Sequence, residues 1–245
     1  MASMAATTTQ AGSMRSPLRV AAVLACLIAV LITTTALAAT AREIGKTRGT
    51  PNPSCPTPSG DAPERRQCEV LGRVTAFQKR ADGKKGLMRV PADGHIVGWA
   101  VDLSHPDKEE RAFFEAELSG DPSARLAMLT KADGRKYRLR AQSPNVGLKG
   151  LYGDRQYFTL NNPLEVREGW IAALTTRSWV PNFAHALRAP QKDNVWKASR
   201  TRRRCSGRGN LLNRSRPHQD VGSTRSYACT YTDARILYWA YFVPA

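Results

Sequence analysis

Residues 124–141 have the sequence ARLAMLTKADGRKYRLRA, in which two runs of alternating side chains are separated by Asp133-Gly134. Glycine reaches the positive φ that a tight turn needs, so Asp-Gly between two such runs predicts a β-hairpin. In the second run Tyr137, Leu139 and Ala141 alternate with three cations. Because a strand has a period of two, these cations share one face. The stretch therefore predicts two antiparallel strands, one of them with a basic face.

The same pattern recurs outside this hairpin. Asp82-Gly83 separates residues 68–77 from residues 86–90, and Asp93-Gly94 begins another alternating strand. One face of that strand is predicted to carry Val97, Trp99, Val101 and Leu103. Further short runs lie at 156–160, 170–175, 194–198, 226–231 and 236–243. About nine or ten short strands with frequent turns predict a mainly β fold, an antiparallel β-sandwich of jelly-roll type.

One segment has helical periodicity instead. Phe114 and Leu118 recur at helical spacing before Gly120 ends the run. Ser104 and Asp107 match the spacing of a capping box. The sequence thus predicts one short helix between strands, covering an end of the sandwich.

The first 41 residues have the composition of an export signal. Arg15 and Arg19 precede an apolar run at residues 20–32, and small residues follow, with Ala38 or Ala41 as the last residue removed. This is the order of charge, apolar core and cleavage site in a secretory signal peptide. A retained single-pass anchor with an extracytoplasmic domain is the alternative, because residues 20–41 approach the roughly 20 residues that a spanning helix needs.

Export changes the interpretation of the cysteines. Cys26 lies in the predicted signal, where the apolar run continues past it and disfavours a lipoprotein cleavage box. Four cysteines remain, and an even number in an oxidising compartment favours two disulfides. Of the alternative pairings we favour the local one, Cys55 with Cys68 and Cys205 with Cys229, because each closes a short loop. The spacing lacks the pairs that bind zinc, so no metal or cofactor is predicted, although calcium bound by loop oxygens stays open.

The rest of the chain divides into a linker and one domain. Residues 42–67 carry five prolines among small and charged residues, which predicts a semi-extended linker. Residues 68–245 are then expected to form a single β-sandwich domain. The chain has 37 Lys and Arg against 20 Asp and Glu, a formal charge of +17, and such an excess attracts anionic partners. Export argues against intracellular nucleic acid, and a membrane is a partner only if the N-terminal segment is retained.

The densest positive charge lies in residues 197–216, which contain no acidic residue. If Cys205 pairs with Cys229, the disulfide presents Arg202, Arg203 and Arg204, whose guanidinium groups suit phosphate, sulfate or carboxylate. An anionic polymer is the predicted partner. The alternative is a solvated loop without a ligand, as runs of like charge commonly are.

A second set of candidate ligand-binding residues follows the run at 170–175: Arg177, Trp179, Asn182 and His185, with Trp196 further on. Aromatic rings on loops stack on sugar faces while polar side chains supply hydrogen bonds, which predicts a carbohydrate platform. In the alternative, Trp179 and Trp196 fold inward and close the end of the core.

The sequence carries no catalytic motif. It has no G-x-S-x-G nucleophile elbow, and none of its four histidines has catalytic or metal-binding spacing. The predicted function is therefore that of an exported β-sandwich that binds an anionic or carbohydrate polymer of the cell envelope or surroundings. One alternative is a secreted polysaccharide lyase or hydrolase, for which His185, Arg177 and Tyr137 are the first residues to test. Another is a structural surface protein whose charge only attaches it to an anionic wall.

Overall fold

The computed structural model describes residues 41–55, 68–188, 192–205 and 218–245. Within these ranges the chain forms antiparallel sheets and one α-helix between strands, which confirms the mainly β sandwich class. The predicted signal, including Cys26, lies outside the described residues except for Ala41. In the described part, no helix is long and apolar enough to cross a membrane.

In chain order the described strands are β1 (Arg42–Ile44), β2 (Leu71–Gly72), β3 (Thr75–Ala81), β4 (Lys84–Lys85), β5 (Gly94–Asp102), β6 (Ser123–Lys131), β7 (Lys136–Gln142), β8 (Val146–Gly147), β9 (Arg155–Val166), β10 (Ile171–Thr175), β11 (Trp179–Val180), β12 (Phe183–Ala184), β13 (Val195–Ala198), β14 (Thr224–Ser226), β15 (Cys229–Tyr231), β16 (Arg235–Ile236) and β17 (Tyr238–Pro244). The helix α1 (Lys108–Glu117) lies between β5 and β6, and a 3-10 turn spans Arg202–Arg204. The hairpin predicted around Asp133-Gly134 is β6 and β7.

The first sheet has the order β1-β17-β5-β9 and faces the second across the core. Tyr238 of β17 donates its hydroxyl to the Ala172 carbonyl of β10, 2.9 Å away, and so joins the two sheets. On β5, Ile96 pairs with Phe242 and Gly98 with Tyr241 of β17, so Val97 is an extra residue between two consecutive partners. This bulge inserts one extra residue, so the core position predicted for Val97 is taken by the fully buried Ile96 and Val97 is only half-buried.

The second sheet has the order β14-β7-β6-β10-β3-β13-β15, with β4 paired to β3 and β8 to β6. Its two edge strands, β14 and β15, are separated by only two residues of chain. The two edges of the sheet therefore come close together, and the sheet curls into a half-barrel with residues 224–231 at its open side. Tyr227, between these strands, has no exposed surface. Its ring lies 5.7 Å from that of Phe77 and 4.9 Å from that of Tyr137, which fills the inside of the curl.

The helix begins later than predicted. Asp107, not Ser104, caps α1: its carboxylate accepts from the Glu110 amide at 2.9 Å, and Glu110 accepts from the Asp107 amide at 2.8 Å. Ser104 instead donates its hydroxyl to the Pro181 carbonyl at 2.9 Å, as a buried extension of β5. The capping box is therefore present one turn further along, with Glu110 at the third helical position.

Part of the predicted linker belongs to the fold. Arg42–Ile44 pairs with β17, with Arg42 opposite Phe242 and Ile44 opposite Ala240. Further along, the Ser54 amide donates to the Phe183 carbonyl at 2.9 Å. The described residues 42–55 thus pack on the domain, because β1 completes the first sheet, while residues 56–67 of the predicted linker are not described.

Both predicted disulfides are present, Cys55–Cys68 and Cys205–Cys229, which confirms the local pairing. The first lies at the end of the sandwich that α1 covers, where the Cys68 amide donates to the Glu110 carboxylate at 2.9 Å. The second joins the 3-10 turn to β15. Disulfides form and persist in oxidising compartments, so the pairing indicates that the chain folds in one.

Candidate anion-binding site

A cavity of about 280 Å³ opens at one end of the half-barrel. Its lining comes from separate parts of the second sheet and from the turn after β4: Phe77, Gln78, Lys79, Lys85, Gly86, Met88, Arg89, Tyr137 and Ile171. Three of these residues, Lys79, Lys85 and Arg89, are cations, and we call them the basic mouth. None of the lining residues is acidic.

Two turns position Lys85 and Arg89, while Lys79 lies on β3. Asp82 and Gly83 join β3 to β4 with φ of +50° and +77°, the left-handed pair that an Asp-Gly hairpin turn favours, and this brings Lys85 opposite Arg80. In the next turn the Arg89 amide donates to the Gly86 carbonyl at 2.9 Å. The positive charge of the cavity therefore comes from the β3–β4 hairpin and the turn after it.

Positive charge also surrounds the mouth. Lys197 of β13 is the register partner of Phe77, and its ammonium donates to the Tyr227 carbonyl at 3.1 Å. Burial lowers the pKa of Lys197, and nearby Lys79 and Arg135 lower it further. Among the described residues, the mouth cations form no ion pair with a carboxylate. An anion that enters the cavity therefore meets three positive charges that no carboxylate of the described residues neutralises.

The wall of the cavity is aromatic. Phe77 of β3 and Tyr137 of β7 meet across the curled sheet with ring centroids 5.0 Å apart and planes at 58°. Tyr227 supports Tyr137 from a second direction. Burial raises the pKa of the Tyr137 phenol, although Arg89 opposes the rise. A neutral phenol and a fixed ring thus lie beside three cations.

The predicted arginines Arg202, Arg203 and Arg204 lie on the exposed 3-10 turn. The disulfide Cys205–Cys229 anchors the end of this turn, as the sequence predicted. The remaining cations of the basic loop, at residues 206–217, lie outside the described residues. The turn is a surface patch and contributes no residue to the cavity lining.

Trp179 does not form part of an exposed platform. Its side chain has no exposed surface, its indole N–H donates to the Gly120 carbonyl at 2.9 Å, and its ring packs 5.2 Å from that of Phe114 and 6.1 Å from that of Tyr152. A ring without accessible surface cannot stack on a sugar, so the stacking role predicted for Trp179 is corrected. Trp179 instead fits the alternative, in which its ring folds inward and closes the end of the core.

Two further residues of this candidate set, Trp196 and Asn182, are also largely internal. Trp196 is 8% exposed and stacks on Tyr231 with ring centroids 4.1 Å apart. Asn182 is fully buried, and neither of its amide atoms has a hydrogen-bond partner among the described residues. Asn182 therefore has no surface for a polymer to contact, and Trp196 has too little to serve as a stacking platform.

The three residues named for an enzyme lie in separate environments. Nε2 of His185 is 3.7 Å from the Glu69 carboxylate, and Arg177 is exposed and paired with Asp220 at 2.7 Å. Tyr137 lies in the wall of the cavity. Among the described contacts, none joins two of these three residues. Within the described ranges, no group of three or more His, Cys, Asp or Glu could hold a metal ion.

The cations of the basic mouth were not among the predicted ligand-binding residues. A signal for them exists in the sequence, since residues 79–89, KRADGKKGLMR, hold five cations and one acid. The charge of this stretch is partly offset by its acid, whereas residues 197–216 have no acid and form the stronger pattern. The curl of the second sheet brings Tyr137 to this hairpin, and no local sequence pattern predicts that curl.

Two partly buried histidines are expected to make folding stability depend on pH. Burial lowers the pKa of His185 and of His218 below the ordinary 6.5, opposed by Glu69 at the first and reinforced by Arg177 at the second. The unfolded chain therefore takes up protons before the folded chain does as the pH falls, and folding stability is lost below about 6.5. We expect chemical unfolding midpoints to fall between about pH 7 and pH 5. Replacing both histidines with Asn should flatten this decline.

The matched control is the exposed histidine His95. Its replacement by Asn should leave the pH dependence unchanged. An equal decline in the double variant H185N/H218N would show that other groups cause it.

Comparisons with protein-family models, with curated proteins and with solved structures returned no significant match. Function is therefore inferred from the chemistry of the site.

Proposed function

We propose that this protein binds an anionic polymer outside the reducing cytosol and that the basic mouth is its main contact. One observation carries the proposal: Lys79, Lys85 and Arg89 line one cavity whose lining contains no acidic residue. A net charge of +17 would draw polyanions at long range, and the mouth would hold them at short range. The exposed patch Arg202–Arg204 offers a second, weaker contact for a long chain.

The proposed location is secreted or cell-surface. The two disulfides suit an oxidising environment. The export signal predicted at residues 1–41 supports the same location, and β1 begins at Arg42, after both of the predicted cleavage positions, Ala38 and Ala41. Envelope or matrix polymers rich in carboxylate, sulfate or phosphate are the polyanions available there.

Removing the mouth cations tests the proposal. In the variant K79A/K85A/R89A we expect affinity for a heparin or teichoic-type polymer to fall about 30- to 100-fold, since three exposed ion pairs contribute up to about 1 kcal/mol each. The slope of affinity against salt should also become shallower, because fewer ions are exchanged on binding. Retention on a polymer column and titration at several salt concentrations measure both effects.

The control variant K84A/K108A/K131A removes the same charge at exposed positions that do not line the cavity. It should lose less than about threefold, because diffuse surface charge is screened by salt. Equal losses in both variants would instead support a structural surface protein held by diffuse charge. A loss only in R202A/R203A/R204A would move the site to the 3-10 turn.

A further inference from the structure

We infer that the basic mouth binds one acidic sugar unit of the polymer, with the anionic group among the cations and the sugar ring against Tyr137. This inference rests on the proposed function and adds the chemical class of the ligand. A carboxylate on a uronic acid and a sulfate on a neutral sugar share this chemistry, and they are separated by the experiment below.

The lining of the cavity combines two kinds of surface. Lys79, Lys85 and Arg89 suit a carboxylate or sulfate. The accessible apolar part of the wall is the half-buried ring of Tyr137, which contributes little to binding an isolated anion. Behind it lie Phe77, Met88 and Ile171, which are at most 5% exposed. A linear polyphosphate would use the cations and leave the apolar wall unpaired. A neutral sugar would leave three cations unused. A ligand with an anionic group on a ring that has an apolar face uses both surfaces.

The ring of Tyr137 is fixed before any ligand arrives. Phe77 and Tyr227 contact it from two directions, with centroids 5.0 and 4.9 Å away. A ring that is already ordered loses little conformational freedom on binding, which favours stacking by a ligand. A tyrosine phenol is neutral at neutral pH, so its hydroxyl can donate a hydrogen bond to a sugar oxygen as well as accept one.

The size of the cavity limits how much of the polymer enters. Its volume of about 280 Å³ lies at the lower limit of pockets for small molecules, which begin at about 300 Å³. That space suits a single ring with its substituent. The rest of the polymer then lies outside the cavity, where the flanking cations Arg135 and Lys197 add charge without stacking.

A panel of oligomers of equal length separates charge from ring. Oligouronate and sulfated oligodextran carry both features, polyphosphate carries charge alone and dextran carries the ring alone. We expect the first two to bind, polyphosphate to bind at least tenfold more weakly and dextran not to bind at all. The ratio of oligouronate to sulfated oligodextran affinity identifies carboxylate or sulfate as the preferred anion.

Variants of the ring complete the test. Y137L should weaken binding of the two acidic sugars about five- to tenfold, the scale of one aromatic contact, and leave polyphosphate binding unchanged. Y137F keeps the ring and should retain at least a third of the acidic-sugar affinity. The control Y157L removes an exposed tyrosine, 64% accessible, from the other sheet and should change nothing.

The outcomes distinguish this inference from the proposed function. Equal affinity for polyphosphate and oligouronate would overturn the acidic-sugar inference and leave a general polyanion site. Binding of none of the anions would overturn the proposed function itself. If Y137L fails to fold, the affinities of the unmodified protein across the panel still decide between these outcomes.

Discussion

Replacing Arg235 with Met while Asp82 stays in place is expected to lower the free energy of unfolding by about 3–5 kcal/mol. The Arg235 side chain is 2% exposed, and its Nη1 lies 3.0 Å from the Asp82 carboxylate and 2.7 Å from the Thr47 hydroxyl. Asp82 itself is only 9% exposed. Without the arginine, a buried carboxylate remains with its charge uncompensated, which is the main reason for the loss.

The reverse change, D82N, leaves the buried guanidinium without its counter-charge and should cost a similar amount. Asn is the matched replacement because Asp82 has φ of +50°, a left-handed conformation that Asn tolerates. The double variant D82N/R235M should lose clearly less than the sum of the two single losses, since it leaves no unpaired charge. Urea unfolding with both disulfides intact measures all three. Additive losses would show that the pair is not coupled.

This pair also supports the candidate site. Asp82 lies in the turn between β3 and β4, so Arg235 of β16 holds the hairpin that carries Lys85. Thr47, from the segment predicted as a linker, completes the contact. Stability and polymer binding should therefore fall together in R235M, whereas K85A should affect binding alone. The mouth depends on a buried contact between parts of the chain far apart in sequence.

The sequence predicted well those features that depend on neighbouring residues, such as turns and short disulfide loops. Asp133-Gly134 and Asp82-Gly83 form their turns because glycine adopts positive φ at little steric cost, which is a property of the residue itself. The disulfides follow from short loops in the same way. Where a prediction depended on alternation across many residues, one inserted residue was enough to change it, as the bulge at Val97 opposite β17 shows.

The candidate site was harder to predict, because it depends on the curl of the second sheet. Tyr137 and Phe77 are 60 positions apart in the sequence and meet only because β7 and β3 lie on opposite sides of that curl. The direction in which Trp179 points depends likewise on the pairing of β11 with β2 and on the helix that covers it. Residue type alone does not distinguish an aromatic that stacks on a ligand from one that packs in the core.

Replacing Trp179 is the change with the second large expected effect. Because the side chain is buried, its loss should lower stability, whereas the loss of an exposed stacking residue would lower polymer binding. W179A should reduce the free energy of unfolding by about 3–5 kcal/mol, the usual result of truncating a buried Trp. The lost contacts include the rings of Phe114 and Tyr152 and the hydrogen bond to Gly120. These contacts hold the cluster around Cys68, so the end of the sandwich covered by α1 should loosen first.

Two measurements separate the two roles of Trp179. The folded fraction of W179A should bind the anionic polymer as the unmodified protein does, since the basic mouth contains no residue of this cluster. The control F113A truncates a neighbouring aromatic that is 45% exposed and should cost about 1 kcal/mol or less. A W179A protein of unchanged stability that no longer binds polymer would place this ring at the surface and return the carbohydrate platform to the end of the sandwich. Because Trp179 is buried in the core, we expect reduced stability and retained polymer binding instead.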